Sequence, residues 1–220
     1  MASRFVAAGA ALLLTVGLAS LAPQARAESI TTLFAGNNNN FAGGAQFFDI
    51  NVLNTAGITI TSLAVNVYSS QESSISLNIY ARTGTYLGNA ASSVGWTLVS
   101  SGTGVNLGRD VPSVVDVTDF TLAEGITGIA IQNVDWSAAY TNGNGTNQSY
   151  SNSDLSLTLG GAENSLFDNT FYYPRVANVT INYTIGAVTA VPEPGTFALA
   201  ALAGGPLLGL ALSRRRRNAA

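Results

Sequence analysis

Polar and apolar residues alternate along the central part of the chain. In residues 75–82 and 177–185 the apolar side chains occupy mostly the odd positions, and Ser, Asn, Thr and Arg fill most of the even ones. Successive side chains of a β-strand point to opposite faces, so a period of two indicates a strand with one buried and one wet face. The pattern therefore predicts a β-strand in each of these two segments.

Six further segments have strand-like composition, and turn-forming residues separate them. These segments are residues 46–52, 58–68, 96–101, 114–122, 127–134 and 155–159, with Gly- and Asn-rich turns predicted at 54–57, 83–85, 124–125, 142–145 and 160–161. The alternation changes phase at Ser62-Leu63, which predicts a bulge. No helical stripe occurs between the termini. Eight to ten short strands predict an all-β fold, an antiparallel β-sandwich of jelly-roll type.

The N-terminal segment has the organisation of a secretory signal. Arg4 precedes an apolar run over residues 5–22, and Ala25-Arg26-Ala27 has the small-x-small pattern that signal peptidase cleaves. We therefore predict a signal peptide over residues 1–27, removed by signal peptidase so that Glu28 begins the mature chain. The alternative is a permanent N-terminal membrane helix.

The C-terminal segment combines a rigid hinge, an apolar run and a cationic end. Pro192-Glu193-Pro194 is followed by an apolar stretch over about 195–213, and then by Arg214, Arg215, Arg216 and Arg217. A bilayer core needs roughly 20 mainly apolar residues in a helix, which this stretch approaches. Arginine is costly to translocate, so the cluster is expected to stay cytoplasmic and the preceding chain to lie outside. The sequence therefore predicts a C-terminal transmembrane helix.

The order of these three elements resembles the PEP-CTERM sorting signal of bacterial surface proteins. The resemblance implies that an exosortase, a membrane-embedded transpeptidase-like enzyme, recognises Pro192, Glu193 and Pro194 and cleaves nearby. It also implies a Gram-negative host that makes exopolysaccharide. The alternative from the residues alone is an ordinary membrane anchor without processing. The predicted organisation is a signal peptide (1–27), a β-sandwich ectodomain (28–186), a linker (187–191) and a sorting signal (192–220).

The exported part is acidic and poor in reactive side chains. Between residues 28 and 190, three arginines stand against eleven acidic residues, which gives a net charge of −8. Phosphate binding needs clustered cations, so nucleic acid is excluded as a partner. The chain has no Cys, so a packed core must stabilise the domain without disulfides.

The same composition restricts catalysis. The chain has no His and no Cys, and all its basic residues are arginines, so a Ser-His-Asp relay, a thiolate nucleophile and a lysine Schiff base are excluded. Carboxylate chemistry remains, as in glycoside hydrolysis. Asp116 and Asp119 are three residues apart, which places them on opposite faces of a regular strand. We predict a non-enzyme with no metal and no cofactor, although Asp and Asn oxygens in loops could bind calcium.

A carbohydrate-binding role is the main alternative to a purely structural one. Sugars are held by aromatic faces together with amides, and the segment around Tyr140, Asn142, Asn144 and Tyr150 has that mixture. Its simpler interpretation is a polar turn between strand-edge tyrosines. Trp96 and Trp136 are expected to pack in the core or at an edge, and Arg82 and Arg175 to pair with carboxylates or support loops.

The ectodomain resembles an all-β module of other PEP-CTERM proteins. The similar segments are residues 81–86, 95–98, 139–143 and 171–176, and the resemblance implies fold and location but no activity. Together these observations predict an exosortase-processed protein, first anchored in the inner membrane and then at the cell surface or in the extracellular matrix. Its expected role is structural or adhesive, in association with exopolysaccharide. A carboxylate-dependent glycoside hydrolase is the more distant alternative.

Overall fold

A computed structural model describes residues 26–68 and 73–186. Within these ranges all the regular secondary structure is β-strand. The thirteen strands are β1 (Ala27–Thr31), β2 (Asn38–Asn39), β3 (Ala45–Val52), β4 (Ile58–Val65), β5 (Ser74–Thr83), β6 (Thr97–Val105), β7 (Ser113–Leu122), β8 (Gly125–Asn133), β9 (Ala139–Asn142), β10 (Ser149–Ser151), β11 (Leu155–Glu163), β12 (Arg175–Ala177) and β13 (Val179–Ile185).

Ten of the strands form one continuous antiparallel sheet. Its order is β1-β13-β4-β7-β6-β5-β8-β3-β11-β10, and a second, three-stranded sheet has the order β12-β9-β2. The large sheet curls until its two edges approach each other, where the Asn152 side chain after β10 donates to the Tyr183 hydroxyl of β13 at 2.8 Å. The all-β, antiparallel prediction is confirmed. The two-layer jelly roll is not confirmed, because the large sheet is a nearly closed, barrel-like surface.

The inside of this curled sheet holds the main hydrophobic core. The core consists mainly of Ile, Leu and Val from β3, β4, β5, β7, β8, β11 and β13, with Phe48 at its centre, fully buried. Every second residue of these strands points inward, as the period of two predicts. The predicted position of Trp136 is confirmed, since its ring is 5% exposed in this core and its indole N–H donates to the Ser76 carbonyl at 2.8 Å.

A second hydrophobic cluster covers part of the sheet from outside. Phe47 lies next to Phe48 on β3 but points the other way, and it packs with Tyr86, Trp96, Phe167 and Phe171. We call this group the outer cluster. Two loops, 84–96 and 164–174, supply most of its rings. Both faces of β3 and β8 are therefore buried, which explains why apolar residues are consecutive there.

Register shifts interrupt four of the strand pairings in the described ranges, and two of them bear on the sequence predictions. The pairing of β4 with β7 shifts register between Ile60 and Ser62, next to the predicted bulge. A second shift lies between Leu159 and Gly161 in β11. The prediction of a turn at Gly160-Gly161 is wrong: both residues lie inside β11. A Cβ on Gly160 would lie 2.0 Å from the Tyr86 hydroxyl oxygen, so glycine serves here for close approach of the outer cluster.

The remaining strand predictions agree with the structure to within a few residues. The eight predicted strands correspond to β3, β4, β5, β6, β7, β8, β11 and the β12–β13 segment. The short strands β1, β2, β9 and β10 were not predicted. Residues 37–40, interpreted as a loop, contribute β2, and Asn40 is fully buried. Its side-chain oxygen accepts from the Ala138 N–H at 2.9 Å, and its amide donates to the Asn133 side chain at 2.9 Å.

The two ends of the curled sheet differ in what they carry. The last described residue, Gly186, lies at one end, where its N–H donates to the Gly57 carbonyl at 2.8 Å. We call this end the tether rim; it comprises residues 53–57, 122–126 and Gly186. The small sheet lies at the other end, linked to β4 through the bridge between Val67 and Ala138. β4 spans eight residues, so the two ends are separated by roughly 25 Å of extended chain.

The described ranges contain no helix that is long and apolar enough to cross a bilayer. The predicted membrane segment 195–213 and residues 1–25 of the predicted signal peptide lie outside those ranges.

Candidate functional site: the distal sheet and the processing signals

The small sheet at the end opposite the tether rim places polar and aromatic side chains together. We call β2, β9 and β12 the distal sheet. Its strands are joined by side chains as well as by backbone: the Asn38 amide donates to the Asn142 side-chain oxygen at 3.1 Å, and the Asn142 N–H donates to the Asn37 side chain at 2.8 Å. Asn142 is also the cross-strand partner of Arg175. These contacts form a continuous surface of amides beside one guanidinium.

Arg175 lies between two tyrosine rings. Its guanidinium carbon is 5.7 Å from the ring centre of Tyr140 and 5.9 Å from that of Tyr172, distances typical of cation–π contacts. One terminal nitrogen donates to the Pro174 carbonyl at 2.8 Å, while Nε is buried without a partner. Arg175 thus supports a loop, as predicted. Next to it, Tyr173 is 59% exposed, so its ring is available to a ligand.

The residues of the predicted ligand loop lie close together but differ in accessibility. Tyr140 is only 3% exposed, whereas Asn142 and Asn144 are exposed and Tyr150 is half-buried. The Asn144 side-chain oxygen accepts from the backbone N–H groups of Thr146 and Asn147 at 2.9 and 3.1 Å. Such side chain to backbone bonds stabilise tight turns. Asn144 therefore shapes the loop, and its amide N–H₂ is the part left for a ligand.

The residues around the predicted signal-peptidase site begin the sheet. Ala27 and Glu28 lie in β1 and are cross-strand partners of Thr184 and Tyr183 in β13. The Glu28 carboxylate forms an ion pair with Arg26. Ala25 lies outside the described residues. The start of the predicted mature chain is thus directly beside the strand that leads to the C-terminal segment.

Asp116 and Asp119, the pair weighed for hydrolysis, are both exposed on β7. A regular strand would place them on opposite faces, but this strand is irregular between them. The register shift between β4 and β7 places residues 117–119 against Thr61 alone, which changes the phase of the strand. Asp116 lines a shallow, open groove of about 520 Å³ together with hydroxyl and amide side chains of β5 and β6. Asp119 is not among the residues of this groove.

Asp110, in the loop before β7, is engaged in structure. Its side-chain oxygen accepts from the Gly36 N–H at 2.6 Å and from the Asn66 amide at 2.8 Å. Burial alone would raise the pKa of Asp110, but these two hydrogen bonds and the nearby Arg109 hold it below its ordinary value. The carboxylate thereby fixes the segment before β2 to the loop before β7.

Glu163 at the end of β11 is a carboxyl that sequence reasoning did not single out. Its side chain is fully buried; one oxygen accepts from the Asp168 N–H at 3.1 Å and the other, Oε1, has no partner. Burial raises the pKa of Glu163 to about 7, although hydrogen bonds from the Asp168 and Phe167 backbones lower it. It is sealed beneath the loop 164–174, so it does not face solvent or substrate.

The remaining predicted positions have clear environments. Trp96 packs at an edge, in the outer cluster, as expected, with its indole N–H donating to the Asn89 carbonyl at 2.9 Å. Arg82 lies 5.7 Å from the Trp96 ring centre. In the described ranges it forms no ion pair, so the expected carboxylate partner is absent there. These ranges also contain no group of three or more acidic side chains placed to bind a metal ion.

Sequence reasoning missed several residues in and beside the distal sheet. Tyr172 and Tyr173 follow Phe171 directly, and the three aromatics divide between the outer cluster and the surface. The sequence did contain a signal for these aromatic residues: three of them stand in a row immediately before Pro174-Arg175. Asn38 was missed because an Asn-rich stretch is typical of a loop, whereas here it pairs with β9.

Comparisons with solved structures give low similarity. A clostridial cysteine protease, Cwp84, after propeptide cleavage, aligns with a TM-score of 0.43 and 12% identity over 73% of this chain and 40% of that chain. The cysteine protease and lectin-like domains of Cwp84, a surface layer associated protein of Clostridium difficile, align with a TM-score of 0.43 and 10% identity, over 73% and 36%. The chain spans less than half of either structure. No curated protein sequence matches it.

The processing signal has a direct counterpart among protein families. Residues 190–217 match the family described as PEP-CTERM protein-sorting motif. The match includes Pro192, Glu193 and Pro194 and the cluster Arg214, Arg215, Arg216 and Arg217, which lie outside the described residues. The chain is therefore a protein with a PEP-CTERM sorting signal, which implies a membrane-anchored precursor that an exosortase processes for the surface of a Gram-negative bacterium.

Proposed function

We propose that this protein is a noncatalytic structural or adhesive component of an extracellular polysaccharide layer, and that the distal sheet is its contact surface. The observation that carries the proposal is that the tether rim and the distal sheet lie at opposite ends of the domain. The chain that continues toward the sorting signal leaves from the tether rim, next to Gly57. Amides and tyrosines are concentrated at the opposite end, in the distal sheet.

The distal sheet has the chemistry that hydroxyl-rich glycans require. The ring of Tyr173, two residues before Arg175, is exposed for stacking, and Asn38 and Asn142 supply amide donors and acceptors within the distal sheet. Arg175 adds a positive charge in a domain of net charge −8. Arg175 is the only basic residue in β2, β9 and β12. It is therefore the group of the distal sheet that a carboxylate of an acidic polysaccharide would contact. A lectin-like role is thus the specific form of the adhesive function.

A noncatalytic role is supported by the state of the acidic residues. The reactive side chains His, Cys and Lys are lacking from the sequence. Asp110 holds two backbone segments together, and Glu163 is sealed beneath a loop. Glycoside hydrolysis needs two accessible carboxyl groups facing one bond. The exposed Asp116 lies in a groove without a second carboxylate among its lining residues.

Glycan binding by the processed protein tests the proposal. The protein is titrated against uronic-acid-containing and neutral polysaccharides, and binding is measured by affinity electrophoresis. We expect retention by the acidic polymer, weakened about tenfold or more by Tyr173→Ala, since burying the apolar surface of a large side chain contributes on the order of 1.5–3 kcal/mol. Tyr173 is chosen over Tyr140 because removing the buried Tyr140 ring would disturb the fold.

The matched control is Tyr68→Ala. Tyr68 is 43% exposed and lies outside the distal sheet, so its loss should leave retention unchanged. Equal retention of wild type, Tyr173→Ala and an Arg175→Gln variant would contradict a contact at the distal sheet. Release of reducing ends from any of the polysaccharides would contradict the noncatalytic assignment.

A further inference from the structure

We propose that the tether rim docks on the bilayer surface in the anchored precursor, so that the domain stands end-on with the distal sheet facing outward. This inference rests on the anchored precursor that the sorting motif implies, and it goes beyond the proposed adhesive function. It concerns the surface that the protein presents before processing.

Apolar side chains are exposed on the rim although the sheet has a complete core. Leu53 and Ile126 are 47% and 52% exposed. They are close to each other because Val52 and Gly125 are cross-strand partners in β3 and β8. Leu87, 55% exposed, lies outside the rim, in the loop after β5. That loop begins next to Ile126, whose carbonyl accepts from the Gly84 N–H at 3.0 Å. No described element covers these three side chains.

The rim is also where the chain leaves for the membrane. Ile58 pairs with both Ile185 and Leu122, so only the start of β4 separates the end of β13 from the β7–β8 turn that leads to Ile126. Eight residues, 187–194, separate Gly186 from the apolar segment. At full extension they reach about 30 Å, and any less extended path brings the rim closer to the lipid. The rim is therefore held at a high effective concentration beside the bilayer.

The charges on the rim predict the kind of lipid. Glu124 is exposed in the turn beside Ile126. Glu28 lies on β1 near the end of β13, but it is half-buried and its carboxylate is paired with Arg26. Asp154 is nearly buried and accepts from the Tyr183 hydroxyl at 3.2 Å. The rim ranges thus carry one exposed carboxylate, no basic residue and exposed aliphatic side chains. Anionic headgroups would repel this carboxylate, most strongly at low ionic strength, so the rim suits a zwitterionic surface better than an anionic one.

Site-specific fluorescence tests the docking. The sequence has no Cys, so single cysteines can be labelled with an environment-sensitive dye at Ala56 on the rim or at Asn144 near the distal sheet. The full-length precursor is reconstituted into phosphatidylcholine vesicles and into vesicles containing phosphatidylglycerol. We expect a blue shift at position 56 in phosphatidylcholine, a smaller shift with phosphatidylglycerol, and no shift at position 144.

A double variant, Leu53→Glu with Ile126→Glu, should abolish the shift at position 56. Leu107→Glu with Val111→Glu is the matched control, since these residues are 46% and 42% exposed at the opposite end, and it should leave the shift intact. Should the rim variant melt at a lower temperature, Leu53→Gln with Ile126→Thr replaces it. A shift at both labelled positions, at neither, or one that survives the rim substitutions overturns the proposal. Glycan retention by the same rim variants is measured in parallel and should equal that of wild type, because the rim lies opposite the distal sheet. The adhesive function is therefore judged separately from the docking.

Discussion

Replacing Glu163 by glutamine should stabilise the protein above neutral pH. The Glu163 side chain is fully buried and Oε1 has no partner, so the charged form has lost its hydration without full compensation. Glutamine keeps the shape, keeps an oxygen that can accept from the Asp168 N–H, and carries no charge. The substitution therefore separates the cost of the charge from the packing of the side chain.

The pH window follows from the direction of the shift. Burial raises the pKa of Glu163 from 4.5 to about 7 in the folded protein. The folded state thus binds the proton more tightly than the unfolded state. Its contribution to stability is complete below pH 4.5 and is lost as pH rises through 7. At about 1.4 kcal/mol for each pKa unit, the loss between pH 4 and pH 8 is on the order of 3 kcal/mol.

Urea denaturation of the processed protein at a series of pH values between 4 and 8 measures this loss. We expect the free energy of unfolding of Glu163→Gln to exceed that of wild type at pH 8 and to approach it at pH 4. Glu124→Gln is the control, because Glu124 is exposed and should show the wild-type dependence. Parallel pH profiles for Glu163→Gln and wild type, or a lower stability of the variant at pH 8, would refute the reasoning.

Two further substitutions test the packing. Gly160→Ala should destabilise the protein by about 1–3 kcal/mol, since its Cβ would lie 2.0 Å from the Tyr86 hydroxyl oxygen, and near-ultraviolet circular dichroism should report disturbed aromatic packing. An unchanged spectrum and melting temperature would contradict this close approach. Asn40→Ala should cost about 2–4 kcal/mol in thermal unfolding because it leaves the Ala138 N–H and the Asn133 side-chain oxygen buried without partners. A loss below 1 kcal/mol would mean that other groups replace them.

Much of the fold could be predicted because most strands bury one face. β5 and β13 alternate strictly, and their positions were predicted to within two residues. The period of two does not say whether the buried face meets a second sheet or the inside of its own curl. The predicted sandwich is therefore not confirmed, and the structure has a curled ten-stranded sheet beside a three-stranded one.

The outer cluster could not be predicted, for a physical reason that Gly160-Gly161 illustrates. A glycine pair is typical of a turn, but it equally allows rings to lie flat against a strand. Only the tertiary neighbours Tyr86 and Phe171 distinguish the two uses. The short strands β9 and β12, of four and three residues, are too brief to show a period.

The two kinds of site differ in how far the sequence reveals them. The sorting signal depends on a linear order of elements, and its identification was confirmed over residues 190–217. The distal sheet, in contrast, forms from β2, β9 and β12, which come from distant parts of the chain. Of the four predicted loop residues, Asn142 joins that surface directly, whereas Tyr140 lies beneath Arg175. The ligand assignment of Tyr140, Asn142, Asn144 and Tyr150 stays a prediction.

The pairing of Ala27 with Thr184 has an evolutionary consequence. The start of the first strand and the end of the last strand are neighbours, so the predicted signal peptide and the sorting signal connect to the domain at one place. The domain between these two connections could be exchanged for a different domain without moving either connection. Such an arrangement makes the region between the two signals an interchangeable cassette, whose outward end can diversify while its route to the surface stays the same.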